Sequence, residues 1–291
     1  MMDRWTTRIN SGNLEIDIER EIVATAGEII ARTSFENMKL GKEIDKLLLC
    51  FIESRKESKV ERKGREDLLD LLLHENQVDG KYGKKLSTKE LVDECKTFFF
   101  AGHETTALAI SWTLMLLAIH EDWQNQLRDE IREVVGDQEV DINVLGGLKK
   151  MKWVMNEVLR LYPTAPNVQR QAREDIKFDN LTIPNGTNIW IDVVAMHHDP
   201  LLWGENVNEF RPERFMDDVN GGCNKTLGYL PFGFGGRMCI GRNLSFMEYK
   251  IVLTLLLSRF TFKISPTYIH SPSFMLSLRP AYGLPLIVQP L

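Results

Sequence analysis

The sequence predicts a mainly α-helical protein with a minor β region, and three observations carry this prediction. Residues 88–120 contain no proline and stay apolar past Phe98, which predicts a helix about 50 Å long. Apolar residues at helical spacing on both sides of that segment predict further amphipathic helices. After Pro163 the pattern changes to short β-like runs between prolines and glycines. Because a helix that is apolar nearly all round must be buried, we expect the long helix to run through the middle of a large domain.

Start and stop signals place the elements along the chain. The stretch Ser87-Thr88-Lys89-Glu90 matches a capping box, so a helix is expected to begin there. Gly136 and Pro163 stop the two helices that follow. The predicted helices are 14–35, 41–59, 67–74, 88–120, 123–134, 149–161 and 243–259; strands are predicted at 176–178, at 187–194 near the turn 183–186, and in the last thirty or so residues; 199–228 is predicted to be irregular coil.

Composition excludes several classes of protein. Of the 291 residues, 43% are hydrophobic and 26% charged, which is typical of a globular protein and excludes wholesale disorder. The net charge of −5 argues against a broad basic surface, so no nucleic-acid partner is expected. The four cysteines form no C-x-x-C pair, which excludes a disulfide scaffold and a zinc ribbon.

The sequence offers little sign of a membrane-spanning or exported segment. Polar residues follow Met1 directly, so neither a signal peptide nor a membrane anchor is expected in this chain. The most apolar run, 98–119, is long enough to span a bilayer but contains His103 and Glu104. An acidic side chain inside a bilayer costs at least about 3 kcal/mol, so we interpret this run as a buried helix.

The run Ala101-Gly102-His103-Glu104-Thr105-Thr106 places an acid beside a hydroxyl in the middle of the long apolar helix. Burying such a pair is costly unless the groups are used or satisfied. Glycine also allows a ligand to approach the backbone closely, which favours a functional site. An equally weighted alternative is a helix–helix contact in which the threonine bonds back to a carbonyl of the preceding turn. The zinc-protease pattern H-E-x-x-H fails, because Ala107 stands where the second histidine is required.

Glu157 and Arg160 stand three residues apart in a predicted helix. This spacing places both side chains on one helix face. An exposed salt bridge of little energetic value is the simpler explanation, so the pair alone is weak evidence of function.

The glycine-rich stretch from Phe232 to Arg242 presents a single cysteine, Cys239, just before an apolar helix. A helix N-terminus and the nearby Arg237 both favour a thiolate there. A lone thiolate does not suit zinc, which takes three or four protein ligands, but it does suit one axial bond to haem iron. The alternative is a buried free cysteine that packs as a small hydrophobic residue.

Together these motifs resemble one family, the haem-thiolate monooxygenases known as cytochrome P450. The family's F-x-x-G-x-R-x-C-x-G corresponds to Phe232, Gly235, Arg237, Cys239 and Gly241, and its E-x-x-R to Glu157 and Arg160. Its P-E-R-F stands at 212–215, and its oxygen-activating helix motif at 101–106. The run 94–136 looks most like plant members of the clan that oxidises isoprenoids, hormones and fatty acids. The resemblance implies one incomplete domain over 1–291, with a helical core (1–170), a β and coil region that ends in the haem loop (171–241), and the last long helix with C-terminal strands (242–291).

The resemblance implies a haem-binding and an oxygen-activating set of residues. Cys239 would be the axial thiolate ligand of haem b iron. Thr105 would deliver protons to oxygen at the haem, with Glu104 as the acid beside it. The remaining cofactor-binding residues would be Arg237 and Arg170 at the haem propionates, Phe232 on the thiolate side, and Gly235, Gly241 and Ala101.

It also implies a structural and a substrate-facing set. Glu157, Arg160 and Arg214 would form a buried ionic triad. His197 and His198 match a structural turn. The substrate-facing residues would be Ala165, Pro166, Asn167, Phe274 and Met275.

The match to the family breaks in two places. The family's domain is longer, and the sequence that should hold the membrane anchor and most of the first sheet would lie before Met1. Residues 14–35 resemble the helices that precede the lid over the substrate pocket, and 40–55 resemble sequence that follows it. The lid is therefore expected to be missing, which would open the pocket to water.

Three functions remain in view at this point. The first is a monooxygenase that inserts one oxygen atom of O2 into an apolar small molecule, with electrons from NADPH through a flavoprotein reductase. The family's location would be the cytosolic face of the endoplasmic reticulum membrane, reached through a segment that this chain lacks. The second is a non-catalytic haem-binding fragment of such an enzyme. The third, a zinc hydrolase, is disfavoured by the broken H-E-x-x-H.

Overall fold

The computed structural model describes residues 1–35, 44–57, 67–77, 86–136, 138, 140–225, 227–274 and 276–291. Within them helices predominate and the strands are short, so the predicted mainly α fold with a minor β region is confirmed. The helices are α1 (Met2–Asn10), α2 (Ile18–Phe35), α3 (Ile44–Glu57), α4 (Leu68–Gln77), α5 (Thr88–Ile119), α6 (Glu121–Val134), α7 (Ile142–Leu145), α8 (Lys149–Leu161), α9 (Val193–His197), α10 (Pro200–Trp203) and α11 (Arg242–Leu257). The strands are β1 (Glu15–Asp17), β2 (Asn167–Gln171), β3 (Ile176–Phe178), β4 (Leu181–Ile183), β5 (Asn188–Asp192), β6 (Phe260–Ile264), β7 (Pro272–Phe274), β8 (Leu278–Pro280) and β9 (Pro285–Pro290).

The strands form small antiparallel sheets. The order β1-β9-β6 makes a three-stranded sheet, and the pairs β2-β5, β3-β4 and β7-β8 make two-stranded ones. The described residues divide into two compact units. The larger unit comprises Met1–Arg20 and Leu108–Leu291, and the smaller unit comprises Glu21–Ala107.

Buried side chains of α5 anchor the core of the larger unit. The Trp112 side chain is fully buried, and its Nε1 donates to the Leu278 carbonyl at 3.0 Å. At the next residue, the Thr113 hydroxyl lies 2.8 Å from the hydroxyl of Tyr249 on α11. Each polar tip of the long helix that is buried here therefore has a partner, as burial without hydrogen bonds would be costly.

A second buried network ties α6 to the C-terminal sheet. The Gln124 side chain both donates to and accepts from the backbone of Phe262, at 3.0 Å in each case. Arg128 donates to the carbonyls of Leu257 and Phe260, which lie at the end of α11 and the start of β6. Two side chains of one helix thus form hydrogen bonds with backbone groups at the end of α11 and in the first half of β6.

In the smaller unit the predicted capping box is confirmed. The Ser87 N–H donates to the Glu90 carboxylate at 2.7 Å, and the Glu90 N–H donates to the Ser87 hydroxyl at 3.2 Å. Arg55 of α3 lies between Asp67 and Asp70, with nitrogen–oxygen distances of 2.8 and 2.6 Å.

No helix among the described residues combines the length and the apolar character that a membrane span requires.

Several elements differ from the sequence predictions. Residues 15–17, predicted as helix, form β1, because they pair with Pro285–Ile287 of β9 at the far end of the chain. The helix α1 and the strand β2 were not predicted. Trp5 of α1 is fully buried against Phe260 and Phe262. The buried face of this helix therefore packs on a strand that is distant in the sequence. The short α10 and a 3₁₀ turn at Pro212–Phe215 add local order to the segment 199–228, which was predicted as irregular coil, and α7 lies where no element was predicted.

Glu248 of α11 carries a buried carboxyl group. Its side chain is 5% exposed, and neither carboxyl oxygen makes a hydrogen bond to any residue that the structure describes. Burial raises the pKa of Glu248 to about 7. Between its ordinary pKa and this raised one, the unfolded chain releases the proton while the folded chain keeps it, so stability falls as the pH rises through this range.

We therefore predict that Glu248→Gln removes a pH-dependent loss of stability. From pH 5 to pH 8 the free energy of unfolding of the variant, relative to that of the parent, is expected to increase by about 2–3 kcal/mol. Urea unfolding at the two pH values measures this difference. Glu133→Gln, at an exposed position of α6, is the control and is expected to leave the difference unchanged. Parallel pH profiles for parent and Glu248→Gln would contradict the prediction.

Candidate active site

The loop that carries Cys239 is closed by its own backbone. The Cys239 N–H donates to the Phe232 carbonyl at 2.9 Å, and the Met238 N–H donates to the Gly235 carbonyl at 3.0 Å. Gly233 and Gly235 have φ values of +70° and +73°, in the left-handed region that side chains with a Cβ rarely adopt. The two glycines therefore allow the tight turns that bring Cys239 back to the start of the loop.

The face of this loop around the thiol is apolar and open. Cys239 is exposed, and the flanking side chains of Phe234 and Ile240 are 62% and 82% exposed. Apart from nearby atoms of the same turn, no atom of the described residues lies within 4 Å of the position that a Cβ would take at Gly235 or Gly236. Large apolar side chains exposed in one place usually mark a surface that binds a ligand or a partner.

The thiol also lies at the start of a helix. Gly241 is the N-cap of α11, and a Cβ at Gly241 would lie 3.9 Å from the Cys239 Sγ. No side chain caps this N-terminus. The first N–H groups of a helix and its dipole attract negative charge, so the position suits an anionic sulfur.

Two guanidinium groups lie by the loop without an acidic partner. Arg170, on β2, donates to the Gln169 carbonyl at 2.8 Å, and its Nη2 lies 3.7 Å from the position of a Cβ on Gly233. Arg237 belongs to the 3₁₀ turn Gly235–Arg237 inside the loop. Neither side chain forms an ion pair within the described residues. Both charges are thus available to an anionic ligand.

These features fit haem b. A soft sulfur ligand, an apolar face for a flat macrocycle, and two guanidinium groups for carboxylate substituents occur together. Phe232, Gly235 and Gly241 build the turn that presents Cys239. By contrast, no group of three or more His, Cys, Asp or Glu side chains among the described residues is arranged to hold a metal ion.

Glu157 and Arg160 form a fully buried ion pair in α8. The Arg160 Nε and Nη2 each donate to one carboxylate oxygen of Glu157 at 2.8 Å, and both side chains are 0% exposed. The remaining Arg160 N–H groups donate to the carbonyls of His197, Val207 and Glu209. Such a pair is stable only because every donor has an acceptor. The exposed salt bridge considered from the sequence is therefore wrong.

Arg214 joins this pair from the 3₁₀ turn Pro212–Phe215. Its Nε lies 3.5 Å from Glu157 Oε1, and its Nη2 donates to both oxygens of Asn206 at 2.7 Å. Burial lowers the pKa of Arg214, and the charge of Glu157 opposes this shift. The Arg211 N–H also donates to Glu157 Oε1 at 2.9 Å. The structure thus brings the three residues of the expected triad together.

In the smaller unit, the motif at 101–106 lies within the unbroken helix α5. The Thr105 hydroxyl donates to the Ala101 carbonyl at 2.7 Å, one turn earlier. His103 makes a similar contact, with its Nδ1 2.8 Å from the Phe99 carbonyl. The back-bond considered as the alternative interpretation is therefore present. Glu104 is partly buried.

The expected substrate residues occupy two segments of the larger unit. Ala165, Pro166 and Asn167 lead into β2, and Pro166 is buried. Phe274 ends β7 and is 58% exposed. The Leu278 N–H donates to the Thr164 carbonyl at 3.1 Å, which holds the turn end of the β7–β8 hairpin beside the first segment. Met275 lies outside the described residues.

Two residues near the cysteine loop were not identified as contacts from the sequence. The Tyr229 hydroxyl donates to the Asn156 carbonyl of α8 at 2.8 Å. His197, interpreted as part of a turn, accepts a hydrogen bond from the Leu230 N–H at 3.0 Å. Neither belongs to a short motif, and the aromatic run around Leu230 was the one available signal.

Comparison with known proteins gives consistent matches. A family model described as Cytochrome P450 matches residues 24–284. A cytokinin hydroxylase from Arabidopsis thaliana is 46% identical over 256 residues, which cover 87% of this chain and 49% of that protein. A crystal structure of a cytochrome P450 (CYP102L1) aligns with a TM-score of 0.88 and 27% identity, over 99% of this chain and 71% of that one. The chain spans about half the length of the first curated relative.

One further relative shows an internal difference in length. Cytochrome P450 734A1 from Arabidopsis thaliana is 33% identical over 337 aligned positions, which cover 98% of this chain and 63% of that protein. This alignment is longer than the 291 residues of the chain, so at least 46 aligned positions of the relative have no counterpart here. The segment expected to lack the lid, around 36–43, lies outside the described residues.

We predict that Arg160→Leu is strongly destabilising, because it leaves the Glu157 carboxylate buried and unpaired. The free energy of unfolding is expected to fall by about 3–5 kcal/mol in urea unfolding. Arg132→Leu is a matched control, since Arg132 and Asp129 form the same i,i+3 pair at the surface, where both side chains are about 70% exposed. The control is expected to change stability by about 0–1 kcal/mol. Equal effects of the two substitutions would show that burial of the pair does not matter.

Proposed function

The chain belongs to the cytochrome P450 family, and on that premise we propose that its protein is a haem-thiolate monooxygenase. Its reaction would be the O2-dependent hydroxylation of an apolar small molecule of isoprenoid, hormone or fatty-acid type. The observation that supports this most is the exposed Cys239 in a closed glycine turn at the N-terminus of α11. Beside it lie two guanidinium groups that form no ion pair with any residue the structure describes.

Haem b held by a thiolate supplies the activation of O2 and the oxidation of an unactivated C–H bond. The chain itself would contribute ligation and placement. Cys239 would provide its Sγ as the ligand of the haem iron, and Arg237 and Arg170 would orient the cofactor through its carboxylates. The buried triad of Glu157, Arg160 and Arg214 would keep the coil that precedes the cysteine loop fixed to α8.

Thr105 and Glu104 would handle protons. The Thr105 hydroxyl already donates to the Ala101 carbonyl, so its two lone pairs remain able to accept a hydrogen bond. A hydroxyl that accepts one proton and passes on another, next to a carboxyl group, is a proton relay. This role rests on the family motif at 101–106.

The substrate class and the partners rest on the relatives. A protein named as a cytokinin hydroxylase is 46% identical to this chain, which favours hydroxylation of a small plant metabolite. Ala165, Pro166, Asn167, Phe274 and Met275 would face that substrate, together with Ala101. We also propose an NADPH-dependent flavoprotein reductase as electron donor, and the cytosolic face of the endoplasmic reticulum membrane as location.

A second candidate is a haem-binding protein without monooxygenase activity. It is favoured by the aligned positions of cytochrome P450 734A1 that have no counterpart in this chain. An active site that loses covering segments admits water, and exclusion of water is what protects reactive intermediates.

The spectrum of the reduced, carbon monoxide-bound protein tests the ligand. The parent chain, expressed with a haem precursor, is expected to show the red-shifted Soret band of thiolate ligation, and Cys239→Ser is expected to lose it. Cys50→Ser, at another exposed cysteine, is the control and should keep it. A thiolate-type band in Cys239→Ser would exclude Cys239 as the ligand, and the absence of this band from the parent would overturn the proposed haem-thiolate function.

The coupling of oxygen consumption to product tests the proton relay. Thr105→Ala is expected to raise the fraction of O2 released as peroxide severalfold, because the variant lacks the hydroxyl that would deliver protons for productive O2 activation. Thr97→Ala is the matched control, since Thr97 makes the same back-bond to Asp93, at 2.8 Å, in the same helix. If both variants couple as the parent does, Thr105 has no role in proton delivery.

A further inference from the structure

We infer that His197 is a positioning residue for the cysteine loop, which it holds through a hydrogen bond accepted by its side-chain Nε2. The inference rests on the proposed function, in which this loop provides the haem ligand. It assigns to His197 a defined tautomer and a defined acceptor atom, beyond the turn that the sequence indicates.

His197 joins the buried ion pair to the loop. It ends α9 and is 0% exposed. Its backbone carbonyl accepts from Arg160 Nη1 at 3.1 Å, and its Nε2 accepts from the Leu230 N–H at 3.0 Å. The backbone of His197 is thus hydrogen-bonded to α8, and its side chain is hydrogen-bonded to the segment that enters the loop.

Leu230 lies at the start of the cysteine loop, and its backbone takes part in the first turn. The Gly233 N–H donates to the Leu230 carbonyl at 3.2 Å, which forms the first turn. Phe232, within that turn, accepts the N–H of Cys239 at 2.9 Å. A shift of Leu230 would therefore move the acceptor that fixes the backbone of Cys239.

Aromatic packing holds the imidazole in place. The ring centroid of Tyr229 lies 5.2 Å from that of His197, and the Trp203 ring meets it edge-on at 6.2 Å. The Tyr229 hydroxyl is in turn fixed to the Asn156 carbonyl. Because buried side chains are closely packed, the imidazole cannot rotate away from Leu230 without opening this cluster.

The hydrogen bond requires a neutral ring. Nε2 can accept from an N–H donor when its lone pair is free, so the proton must lie on Nδ1. Burial, with smaller contributions from the nearby charges of Arg160 and His198, lowers the pKa of His197 to about 3, although backbone groups of Leu159 and Arg160 oppose the shift. The ring is therefore neutral at physiological pH, as the acceptor role demands.

Two substitutions separate the acceptor role from simple packing. In His197→Gln the amide oxygen can occupy the position of Nε2 and accept from Leu230. In His197→Phe a ring fills the space but offers no acceptor. His198→Phe is the matched control, because the neighbouring His198 bonds to the Val194 carbonyl of its own helix.

Hydrogen exchange of the Leu230 amide in the haem-free full chain is the primary measurement. We expect exchange about tenfold faster in His197→Phe than in the parent, and within about threefold of the parent in His197→Gln and His198→Phe. In haem-loaded samples, the thiolate-type fraction of the Soret band is expected to fall in His197→Phe and to be retained in His197→Gln. Unchanged exchange in His197→Phe, or equal losses in the Gln and Phe variants, would overturn the inference.

The tautomer gives a test without any substitution. Nitrogen chemical shifts of the His197 ring in the parent are expected to show a protonated Nδ1 and an unprotonated Nε2, and the opposite assignment would overturn the inference. If the parent binds no haem through thiolate, the proposed function fails. The exchange and tautomer results would still decide whether His197 positions the loop.

Discussion

The Glu157–Arg160 pair determines how α8 connects to the rest of the larger unit. A bidentate contact leaves three guanidinium hydrogens unpaired, and each must find an acceptor in a site closed to water. The carbonyls of His197, Val207 and Glu209 meet this need, so an irregular segment takes a fixed path around one side chain. Arg214 and the Arg211 N–H then satisfy the carboxylate from the other side.

The cysteine loop contains little regular structure. Hydrogen bonds to the segment around the ion pair nevertheless fix its position. His197 and Tyr229 connect the segment around the ion pair to the entry of the loop, and the loop closes on itself through Phe232 and Cys239. A chain of hydrogen bonds thus connects the buried ion pair to the backbone of Cys239. A rigid support behind a reactive group is what preorganisation requires.

Local signals in the sequence predicted most of the helices and the order of the site motifs. The limits of α8, the capping box at Ser87 and the long α5 follow from prolines, caps and apolar spacing, all of which act within a few residues. The spacing of Glu157 and Arg160 predicted a shared face but not their complete burial, because the covering carbonyls come from a distant segment. Likewise α1 and β1 depend on β6 and β9 at the other end of the chain. The link from His197 to Leu230 has no motif, since any residue with an N–H could take the place of Leu230.

The apolar face around Cys239 links the yield of folded protein to the supply of its ligand. Phe234 and Ile240 expose large hydrophobic side chains on a loop whose tight turns depend on Gly233 and Gly235. A ligand that covers this face and binds the folded chain alone adds stability in proportion to the logarithm of its concentration. In a host that makes little haem, the same surface favours association between chains. The accumulation of soluble protein would then report on cofactor supply before any reaction is measured.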